Sequence, residues 1–391
     1  MQVAVIGSAV GGLAAAERCR SFATVDVYER KPTIGTPVNC GEGITAPNLI
    51  PLEKTPENGF VNRCPAFVAH VTPAREFGGT GECLARATLR CDDPAYITDR
   101  AVVERQWAER LRERGVTVQT GHAVTRDEFD EFTEEYDAVI DASGSPSLSS
   151  KTFGFANEYG ESILALNADV EGDFSEFHPN AHVFFEGYAG YFWVFPKTPR
   201  RANVGIGWLQ GAWPENYRDA FEAACVRNGV PAPDDANAYT IPMGPSLDAA
   251  YLAWPERGVY LVGDAAGIAN RYQGEGIVQA IESASLLGDH LDAGTPERYP
   301  TALTERMHAE FRLSRLMTRA FRACVEGREF DLLAAVTHAL SGLSPRTVTR
   351  DLRAVVTRIL RHPTIVWRLC RLADPARTLR LLVECSRTSN R

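Results

Sequence analysis

The hydrophobic and polar positions near the N-terminus predict a strand, a tight turn, a helix and a second strand. Residues 2–7 (QVAVIG) form a short apolar run that ends in glycine, and residues 13–20 (LAAAERCR) favour a helix. Residues 24–30 (TVDVYER) alternate as a strand does and end on charged side chains. Two strands joined through a helix run parallel in one sheet. The start of the chain therefore predicts an α/β fold.

Further along the chain, the pattern changes twice. A helix and three strands of the same type are predicted at 99–114, 116–120, 136–144 and 258–267, and a further helix at 277–291. Residues 50–95 contain only short strand-like pieces, and residues 160–250 read as strands with one helix near 214–228. Beyond residue 300, the hydrophobic positions recur with helical spacing. A parallel sheet is thus interrupted by strand-rich segments and followed by helices.

Composition narrows the class of protein. Hydrophobic residues make up 45% of the 391 positions and charged residues 23%, which is typical of a folded protein. No run of 18 apolar residues occurs, so the sequence predicts no membrane-spanning helix. The nine cysteines form no CxxC pair, the histidines show no metal-ligand spacing, and the N-terminus lacks the basic start of a secretory signal. We therefore expect a cytoplasmic protein without a metal site.

A glycine-rich turn, GSAVGG (7–12), follows the first strand. The dinucleotide fingerprint places glycines such as Gly7 and Gly12 where the turn is tight and where the helix meets the strand. A small residue, here Ala9, is needed where the pyrophosphate approaches. Glu29 ends the second strand, where a carboxylate can accept hydrogen bonds from ribose hydroxyls. These features predict a dinucleotide site, and the acid favours FAD or NAD over NADP.

Further segments select FAD. Residues 30–43 (RKPTIGTPVNCGEG) follow the acid, and residues 136–145 (YDAVIDASGS) look like the second strand-end motif of FAD-dependent oxidoreductases. Residues 262–267 (VGDAAG) resemble the motif in which an aspartate, here Asp264, bonds the flavin ribityl chain. The helix after QGEGI (273–277) would direct its positive end at the flavin pyrimidine ring. The sequence therefore predicts FAD as the cofactor.

The chain resembles the geranylgeranyl reductases, flavoproteins that share the p-hydroxybenzoate hydroxylase fold. The resemblance covers roughly residues 1–300. It rests on PVNCGEGI (37–44) and on YFWVFP (191–196), which matches the family's Tyr-x-Trp-x-Phe-Pro stretch. The fingerprint and the resemblance together imply FAD contacts at Gly7, Ala9, Gly12, Glu29, Arg30, Cys40, Gly41, Gly43, Arg100, Ala123, Asp264, Gly276 and Ile277.

The resemblance also implies the domain organisation. We expect an α/β fold with an FAD-binding, Rossmann-like parallel-sheet domain, an inserted antiparallel-sheet substrate domain and a helical C-terminal region. The expected FAD-binding domain comprises 1–48, 96–155 and 255–300. The substrate domain comprises 49–95 and 156–254, and the helical region comprises 301–391.

Members of this family saturate C=C bonds of isoprenoid chains. The resemblance therefore implies an FAD-dependent reductase that transfers a hydride from reduced flavin to a geranylgeranyl or other prenyl chain. Tyr191, Trp193 and Phe195 alternate along a strand, which places three rings on one face. Such a wall suits an apolar chain and its rings could stabilise a transient cation; alternatively, the rings are the core of a sheet. Tyr191 and Trp193 are candidate catalytic residues.

Cys40 is the third candidate catalytic residue. Its thiol could take part in redox chemistry or relay a proton beside the flavin, or it could be a small buried residue chosen for fit. Glu42 could donate a proton if burial raises its pKa, or it could only brace the loop. The sequence leaves these alternatives open.

Charge is distributed unevenly along the chain. Residues 346–391 contain eleven arginines and three acids, so their net charge is +8. Because the net charge of the whole chain is −9, the first 345 residues carry a net charge of −17. Because this basic segment is amphipathic, it could lie on anionic lipid at the inner face of the membrane, or it could pack as a helical lid on an acidic body. The acidic protein as a whole gives no support for nucleic-acid binding.

Two other functions remain open from the sequence alone. One is an FAD-dependent monooxygenase of the same fold, and the other is an electron-transfer or non-redox flavoprotein that binds a quinone or carotenoid. No second glycine-rich nicotinamide fold is apparent. The electron donor of a reductase would therefore be transiently bound NAD(P)H or a ferredoxin-type carrier.

Overall fold

The computed structural model describes residues 1–158, 161–243 and 249–372. The end of the basic segment, 373–391, lies outside the described residues. The strands are β1 Gln2–Ile6, β2 Thr24–Glu29, β3 Gly43–Ile44, β4 Phe60–Val71, β5 Ala85–Thr98, β6 Thr117–Thr120, β7 Ala138–Asp141, β8 Glu161–Glu171, β9 Ala181–Phe185, β10 Gly190–Thr198, β11 Arg201–Leu209, β12 Asn237–Met243, β13 Ala253–Trp254 and β14 Val259–Leu261. The helices are α1 Val10–Cys19, α2 Arg100–Arg112, α3 Arg126–Glu135, α4 Leu148–Thr152, α5 Tyr217–Arg227, α6 Ile277–Asp292, α7 Tyr299–Glu326, α8 Phe330–Ala339, α9 Pro345–Arg350, α10 Leu352–Leu360 and α11 Pro363–Leu372.

The chain divides into two compact units. The first unit consists of residues 1–61, 98–163 and 239–308. The second unit consists of residues 62–97, 164–238 and 309–391. Each unit contains segments that are distant in sequence, so each unit is stabilised internally by contacts between distant segments.

The first unit is built on a six-stranded sheet with the order β13-β14-β7-β1-β2-β6. All neighbouring strands are parallel except β13, which runs antiparallel to β14. Helices α1 and α6 pack together, and a Cβ on Gly11 would lie 3.6 Å from the Ala280 Cβ, an ordinary contact. The predicted α/β fold is confirmed. Because the strands are parallel, the carboxyl ends of β1, β2, β7 and β14 share one edge of the sheet.

The larger sheet has the order β12-β8-β11-β10-β9-β4-β5-β3. Strand β10 runs antiparallel to both β9 and β11, whereas β4 and β9 are parallel. Within the second unit, even-numbered residues of β8 to β11 point into one hydrophobic cluster, where Phe192 and Val194 are fully buried beside Phe221 of α5. The odd-numbered residues of β10 lie on the opposite face.

Strands β4 and β5 are longer than the short pieces that the sequence predicts. They contain 12 and 14 residues, and each contains a proline, Pro65 or Pro94. Along β4, buried residues alternate with more exposed ones from Phe60 to Val68. The alternation is hard to recognise in the sequence because Asn62 and Cys64 occupy buried positions.

The C-terminal helices surround a small hydrophobic cluster, against which Leu89 of β5 also packs. Leu313, Leu340, Val348 and Val355 pack together in it. The Ser344 hydroxyl caps α9 and the Asp351 carboxylate caps α10, so both short helices have satisfied N-termini. Within the described residues, no helix is both long and apolar enough to cross a bilayer.

A pair of histidines lies between β4 and β9. His70 Nε2 is 3.0 Å from His182 Nδ1, and His182 Nε2 is 3.1 Å from the Phe177 carbonyl oxygen. Because the carbonyl can only accept, His182 carries its hydrogen on Nε2 and accepts from His70 on Nδ1. Burial lowers the pKa of each histidine to about 4. Both rings are therefore neutral in the folded protein at neutral pH.

Because both histidines are neutral in the folded state, we expect the second unit to lose stability in acid. The unfolded pKa of histidine is about 6.5, so the unfolded state binds more protons and stability falls as the pH drops from about 6.5 towards 4. The free energy of unfolding should fall between pH 7 and pH 4.5 in the wild-type protein. We expect this fall to be smaller in His70→Gln than in the wild type, by on the order of 2 kcal/mol. Urea denaturation at the two pH values measures this fall. His308→Gln, at an exposed position, is the control and should show the wild-type fall. Equal losses in both variants would contradict the prediction.

Candidate active site

Gly7 and Gly12 close the turn between β1 and α1. Gly7 has a φ of +104°, and a Cβ on it would lie 2.4 Å from the carbonyl oxygen of Ala142. A Cβ on Gly12 would lie 1.8 Å from the Gly7 carbonyl oxygen. The Gly7 N–H donates to the Tyr28 carbonyl at 2.8 Å, which fixes the turn to β2. Both positions therefore have room only for glycine.

The turn directs the N-terminus of α1 outward from the edge of the sheet. Ala9 is the N-cap residue, with extended backbone angles and no side-chain cap. The first N–H groups of a helix have no partners within the helix, and they mark the positive end of its dipole. Such an end binds a phosphate or pyrophosphate.

Glu29 lies at the same edge, at the end of β2. Its Oε2 accepts hydrogen bonds from the Ser8 N–H and hydroxyl, both at 2.8 Å, and its Oε1 accepts from the Lys31 N–H at 2.9 Å. Glu29 is 7% exposed. The carboxylate is thus fixed beside the glycine-rich turn, and it keeps spare acceptor capacity for a hydroxyl because two oxygens offer about four lone pairs.

A tight loop, Cys40–Gly43, follows in the first unit; we call it the Cys40 loop. Glu42 has a φ of +64° and is 2% exposed. Its N–H donates to the Cys40 sulfur at 3.2 Å, and its Oε1 accepts from the Arg100 N–H at 2.8 Å. Gly41 and Gly43 are half-buried on either side of it. The loop is therefore held at the start of α2.

Arg100 begins α2 and lies against the Cys40 thiol. Its Nε donates to the Glu104 carboxylate at 2.8 Å, and Glu104 is 3% exposed. Burial raises the pKa of the Cys40 thiol above its usual value, and the nearby Arg100 guanidinium only partly offsets this effect. The thiol therefore holds its proton at neutral pH.

Asp264 follows β14 and lies beside the N-terminus of α6. A Cβ on Gly276, the N-cap residue of α6, would lie 3.2 Å from Asp264 Oδ1. The side chain reaches solvent, yet the protein atoms crowded around its carboxyl raise its pKa, and the charge of Arg100 opposes this. Ile277 is the first residue of α6 and is buried. The structure thus brings Asp264, Gly276, Ile277 and Arg100 into one region of the first unit.

Arg30 and Ala123 lie near the ends of β2 and β6, and both are exposed. Neither side chain has a hydrogen bond or ion pair with the described part of the chain, so the structure gives them no partner in the site. Over the same residues, no group of three or more His, Cys, Asp and Glu side chains is arranged to hold a metal ion.

The aromatic face of the second unit consists of Tyr191, Trp193 and Phe195 on β10. Ring centroids are 5.9 Å apart between Tyr191 and Trp193, and 6.3 Å apart between Trp193 and Phe195. Tyr191 and Phe195 are half-buried and Trp193 is 4% exposed. The large hydrophobic cluster lies on the other face of the sheet, so these rings are not members of it. Phe195 packs instead against a smaller buried cluster, which consists of Cys64, Ala95, Ile97 and Ala181.

Two residues of β11 fix the orientation of Trp193. The Trp193 indole Nε1 donates to the Asn203 Oδ1 at 2.9 Å, and Asn203 is 1% exposed. Trp193 is paired with Gly205 across the strands, and a Cβ on Gly205 would lie 2.1 Å from the Trp193 Cζ2. The indole therefore lies flat on a glycine and is held at its edge by an amide.

Four of these residues are absent from the sequence prediction: Ser8, Glu104, Asn203 and Gly205. The i, i+4 spacing of Arg100 and Glu104 is a signal that could have identified one of them. The other three depend on which strands are neighbours and in which register, and a single sequence does not contain that information.

Comparison with known protein families identifies one match. A model of the geranylgeranyl reductase catalytic domain matches residues 158–231, the part of the chain that carries β8 to β11 and α5. The aromatic face, Asn203 and Gly205 all lie within that match.

Relatives match over most of the chain. The digeranylgeranylglycerophospholipid reductase of Methanocella arvoryzae is 25% identical over 397 residues, which is 91% of this chain and 95% of the relative. The enzyme of the same name from Methanosphaerula palustris is 28% identical over 321 residues, 73% of this chain and 74% of the relative.

Solved structures share the fold. A geranylgeranyl bacteriochlorophyll reductase-like protein from Thermoplasma acidophilum has a TM-score of 0.69 at 19% identity, and the match covers 95% of this chain and 98% of the other. Klebsiella pneumoniae HpxO, solved in complex with FAD and uric acid, has a TM-score of 0.62 at 19% identity and covers 92% and 97%.

Proposed function

We propose that this chain is a member of the geranylgeranyl reductase family of FAD-dependent oxidoreductases and that it saturates C=C bonds of a prenyl chain by hydride transfer from reduced FAD. The observation that carries the proposal is the aromatic face, which lies inside the segment that matches the catalytic domain. The substrate is a lipid with geranylgeranyl chains, as the names of the relatives suggest.

The residues of the first unit fit FAD. The Gly7–Gly12 turn and the N-terminus of α1 would hold the pyrophosphate, and Glu29 would accept from a ribose hydroxyl. Asp264 would bind the ribityl chain, and the N-terminus of α6 at Gly276 would face the flavin ring. Gly12 and Gly276 support this fit because a side chain at either position would meet atoms of the cradle.

Bound FAD supplies the hydride for one carbon of the double bond, and a proton must reach the other carbon. The protonated Cys40 thiol is the group that we propose as the source of that proton. Tyr191 and Trp193 would line the prenyl chain and exclude water from it. Their π faces would also stabilise positive charge that develops on the chain while the proton is transferred.

Product mass tests this function. Purified protein loaded with FAD is given excess dithionite and digeranylgeranylglycerophospholipid under nitrogen. We expect the lipid mass to rise in steps of two hydrogens. An unchanged lipid mass would contradict the proposal. The monooxygenase and electron-carrier alternatives are not favoured, because the matching domain and the relatives are reductases.

We propose NAD(P)H or a ferredoxin-type carrier as the electron donor. Anaerobic mixing of the yellow protein with each donor, followed by flavin absorbance, distinguishes the two. A flavin that NADPH and NADH leave oxidised but reduced ferredoxin bleaches would identify the protein carrier.

We further propose that α10 and α11 rest on an anionic membrane surface, where a lipid substrate would be found. Leu360 is 54% exposed and Trp367 is 62% exposed, whereas Val355 and Ile365 point inward. Arg361 and Arg371 are exposed, and Arg371 lies 5.6 Å from the centre of the Trp367 ring. An outward mixture of arginine, tryptophan and leucine favours the interface of an anionic bilayer over a fully packed lid.

Vesicle binding measures this contact. Sedimentation with phosphatidylglycerol vesicles should retain the protein, and phosphatidylcholine vesicles should not. Arg361→Gln should weaken binding about fivefold, since a basic residue near an anionic surface contributes about 1 kcal/mol. Trp367→Ser should also weaken binding, while Trp213→Ser, at another exposed tryptophan, should not. Equal binding by all variants would contradict the contact.

A further inference from the structure

Glu42 has an unusual conformation for a buried acid. It is a non-glycine residue with a φ of +64° and it is 2% exposed. A left-handed backbone at such a residue costs free energy, so other contacts must hold it in place. We propose that Glu42 is a positioning residue that fixes the Cys40 thiol by clamping the Cys40 loop to the N-terminus of α2, and that it is not the proton donor.

Three hydrogen-bonding groups of Glu42 carry this inference. Its backbone N–H donates to the Cys40 sulfur at 3.2 Å. Its carbonyl oxygen accepts from the Thr98 N–H and from the Thr98 hydroxyl, both at 3.0 Å. Its Oε1 accepts from the Arg100 N–H at 2.8 Å. One residue thus links the thiol to the end of β5 and to the first turn of α2.

The hydrogen bond between the Glu42 side chain and the first turn of α2 takes the place of an N-cap. Asp99 occupies the N-cap position, yet its side chain makes no capping bond, and Glu42 supplies an acceptor from a distant part of the chain. The backbone N–H at the positive end of the helix donates to Oε1, and this hydrogen bond holds the side chain against α2. The side chain is therefore engaged in fixing the loop.

Charged groups around the thiol agree with a positioning role. Arg100 and Glu42 are the charged groups that act on Cys40; Arg100 is itself held by Glu104 at 2.8 Å and lies near Asp264. The negative charge of Glu42 and the burial of the sulfur both disfavour the thiolate. Releasing the loop would expose the sulfur and so remove burial, the largest effect that raises the thiol pKa. It would also break the Glu42 N–H bond to the sulfur, which lowers that pKa. Because burial is the larger of these two effects, the thiol should become more reactive.

Alkylation of the thiols tests the inference directly. The FAD-loaded protein is treated with iodoacetamide from pH 6 to pH 10, and peptide mass spectrometry gives the rate at Cys40 relative to the exposed Cys83. Glu42→Ala should raise this ratio at pH 8 by at least about tenfold, the equivalent of one unit in thiol pKa. Glu42→Gly should do the same, although glycine tolerates the left-handed backbone.

Glu42→Gln is the conservative variant, because its amide oxygen can still accept from the Arg100 N–H. It should keep the ratio within about threefold, or half a pKa unit. Glu109→Ala, on the exposed side of α2, should leave the ratio unchanged. An unchanged ratio in Glu42→Ala and Glu42→Gly would overturn the inference.

Prenyl reduction by Glu42→Gln separates the clamp from a proton donor. The clamp predicts that this variant keeps its turnover, whereas loss of turnover with an unchanged alkylation ratio would make Glu42 the acid. The inference rests on the proposed function for the role of Cys40. If the wild-type protein reduced no prenyl lipid, the proposed function would fail and the alkylation result would still decide the clamp.

Discussion

Gly12→Ala should give a protein that purifies without flavin. A methyl group on Gly12 would lie 1.8 Å from the Gly7 carbonyl oxygen. The backbone of Gly7 cannot move away, because it is itself packed closely against the Ala142 carbonyl oxygen; a Cβ built on Gly7 would lie 2.4 Å from that oxygen. The turn must open, and the N–H groups at the start of α1 then no longer converge on a pyrophosphate. Overpacking of about 1–3 kcal/mol corresponds to FAD binding that is weaker by about 5-fold to about 150-fold, and the upper part of that range removes the flavin during purification.

The flavin-to-protein ratio from the absorbance spectrum measures this effect. Gly11→Ala is the matched control, because its methyl group would meet the Ala280 Cβ at 3.6 Å, an ordinary contact. We expect Gly11→Ala to remain yellow, and circular dichroism to show that both variants are folded. A yellow Gly12→Ala protein would mean that the turn does not form the pyrophosphate site.

Gly205→Ala should remove most of the prenyl reductase activity and leave the flavin in place. The added methyl group would lie 2.1 Å from the Trp193 Cζ2 and 2.5 Å from the Leu166 carbonyl oxygen. The indole must therefore tilt away from β11, and the backbone of β8 must shift locally. That tilt strains the bond from the indole nitrogen to Asn203. Misplacement of about 1 Å in a positioning group can lower activity about 100-fold, and we expect a fall of that size in kcat/KM.

Steady-state rates, flavin content and tryptophan fluorescence test this prediction together. Flavin content should stay normal, because the residues that fit FAD all lie in the first unit. Gly11→Ala again serves as the control for adding a methyl group, and it should keep its activity. An unchanged kcat/KM in Gly205→Ala would show that the orientation of Trp193 does not matter for the reaction.

Local sequence patterns predict the framework of the first unit. The apolar run before Gly7 and the alternation that ends at Glu29 correspond to β1 and β2, and the periodic segments near 99–114 and 277–291 correspond to α2 and α6. These elements could be predicted because each buries a regular face against one sheet. Helix α3 is missing from the prediction, although Thr125 and Glu128 form a capping box that the sequence displays.

The details of the candidate site could not be predicted in the same way. Ser8 binds Glu29 only because β1 and β2 are parallel neighbours. Asn203 reaches Trp193 only through the register of β10 and β11. Such contacts depend on pairing between strands, which a single sequence does not specify.

Glu42 shows the same limit at the level of one residue. Its position in CGEG leaves both the role of acid and the role of brace open from the sequence. The bond to α2 joins residues that are 58 positions apart, and only the folded chain brings them together. In contrast, Gly7 and Gly12 could be predicted from the sequence, because the tight turn that requires them is formed by neighbouring residues.

Flavin reoxidation in a single turnover tests the central claim most directly. The FAD-loaded protein is reduced with one equivalent of dithionite under nitrogen, mixed with digeranylgeranylglycerophospholipid, and followed by flavin absorbance and lipid mass. We predict that the oxidised flavin spectrum returns without oxygen and that the lipid gains two hydrogens per flavin. The same lipid with its chains already saturated should leave the flavin reduced. A flavin that stays reduced with both lipids until oxygen is admitted would contradict a prenyl reductase.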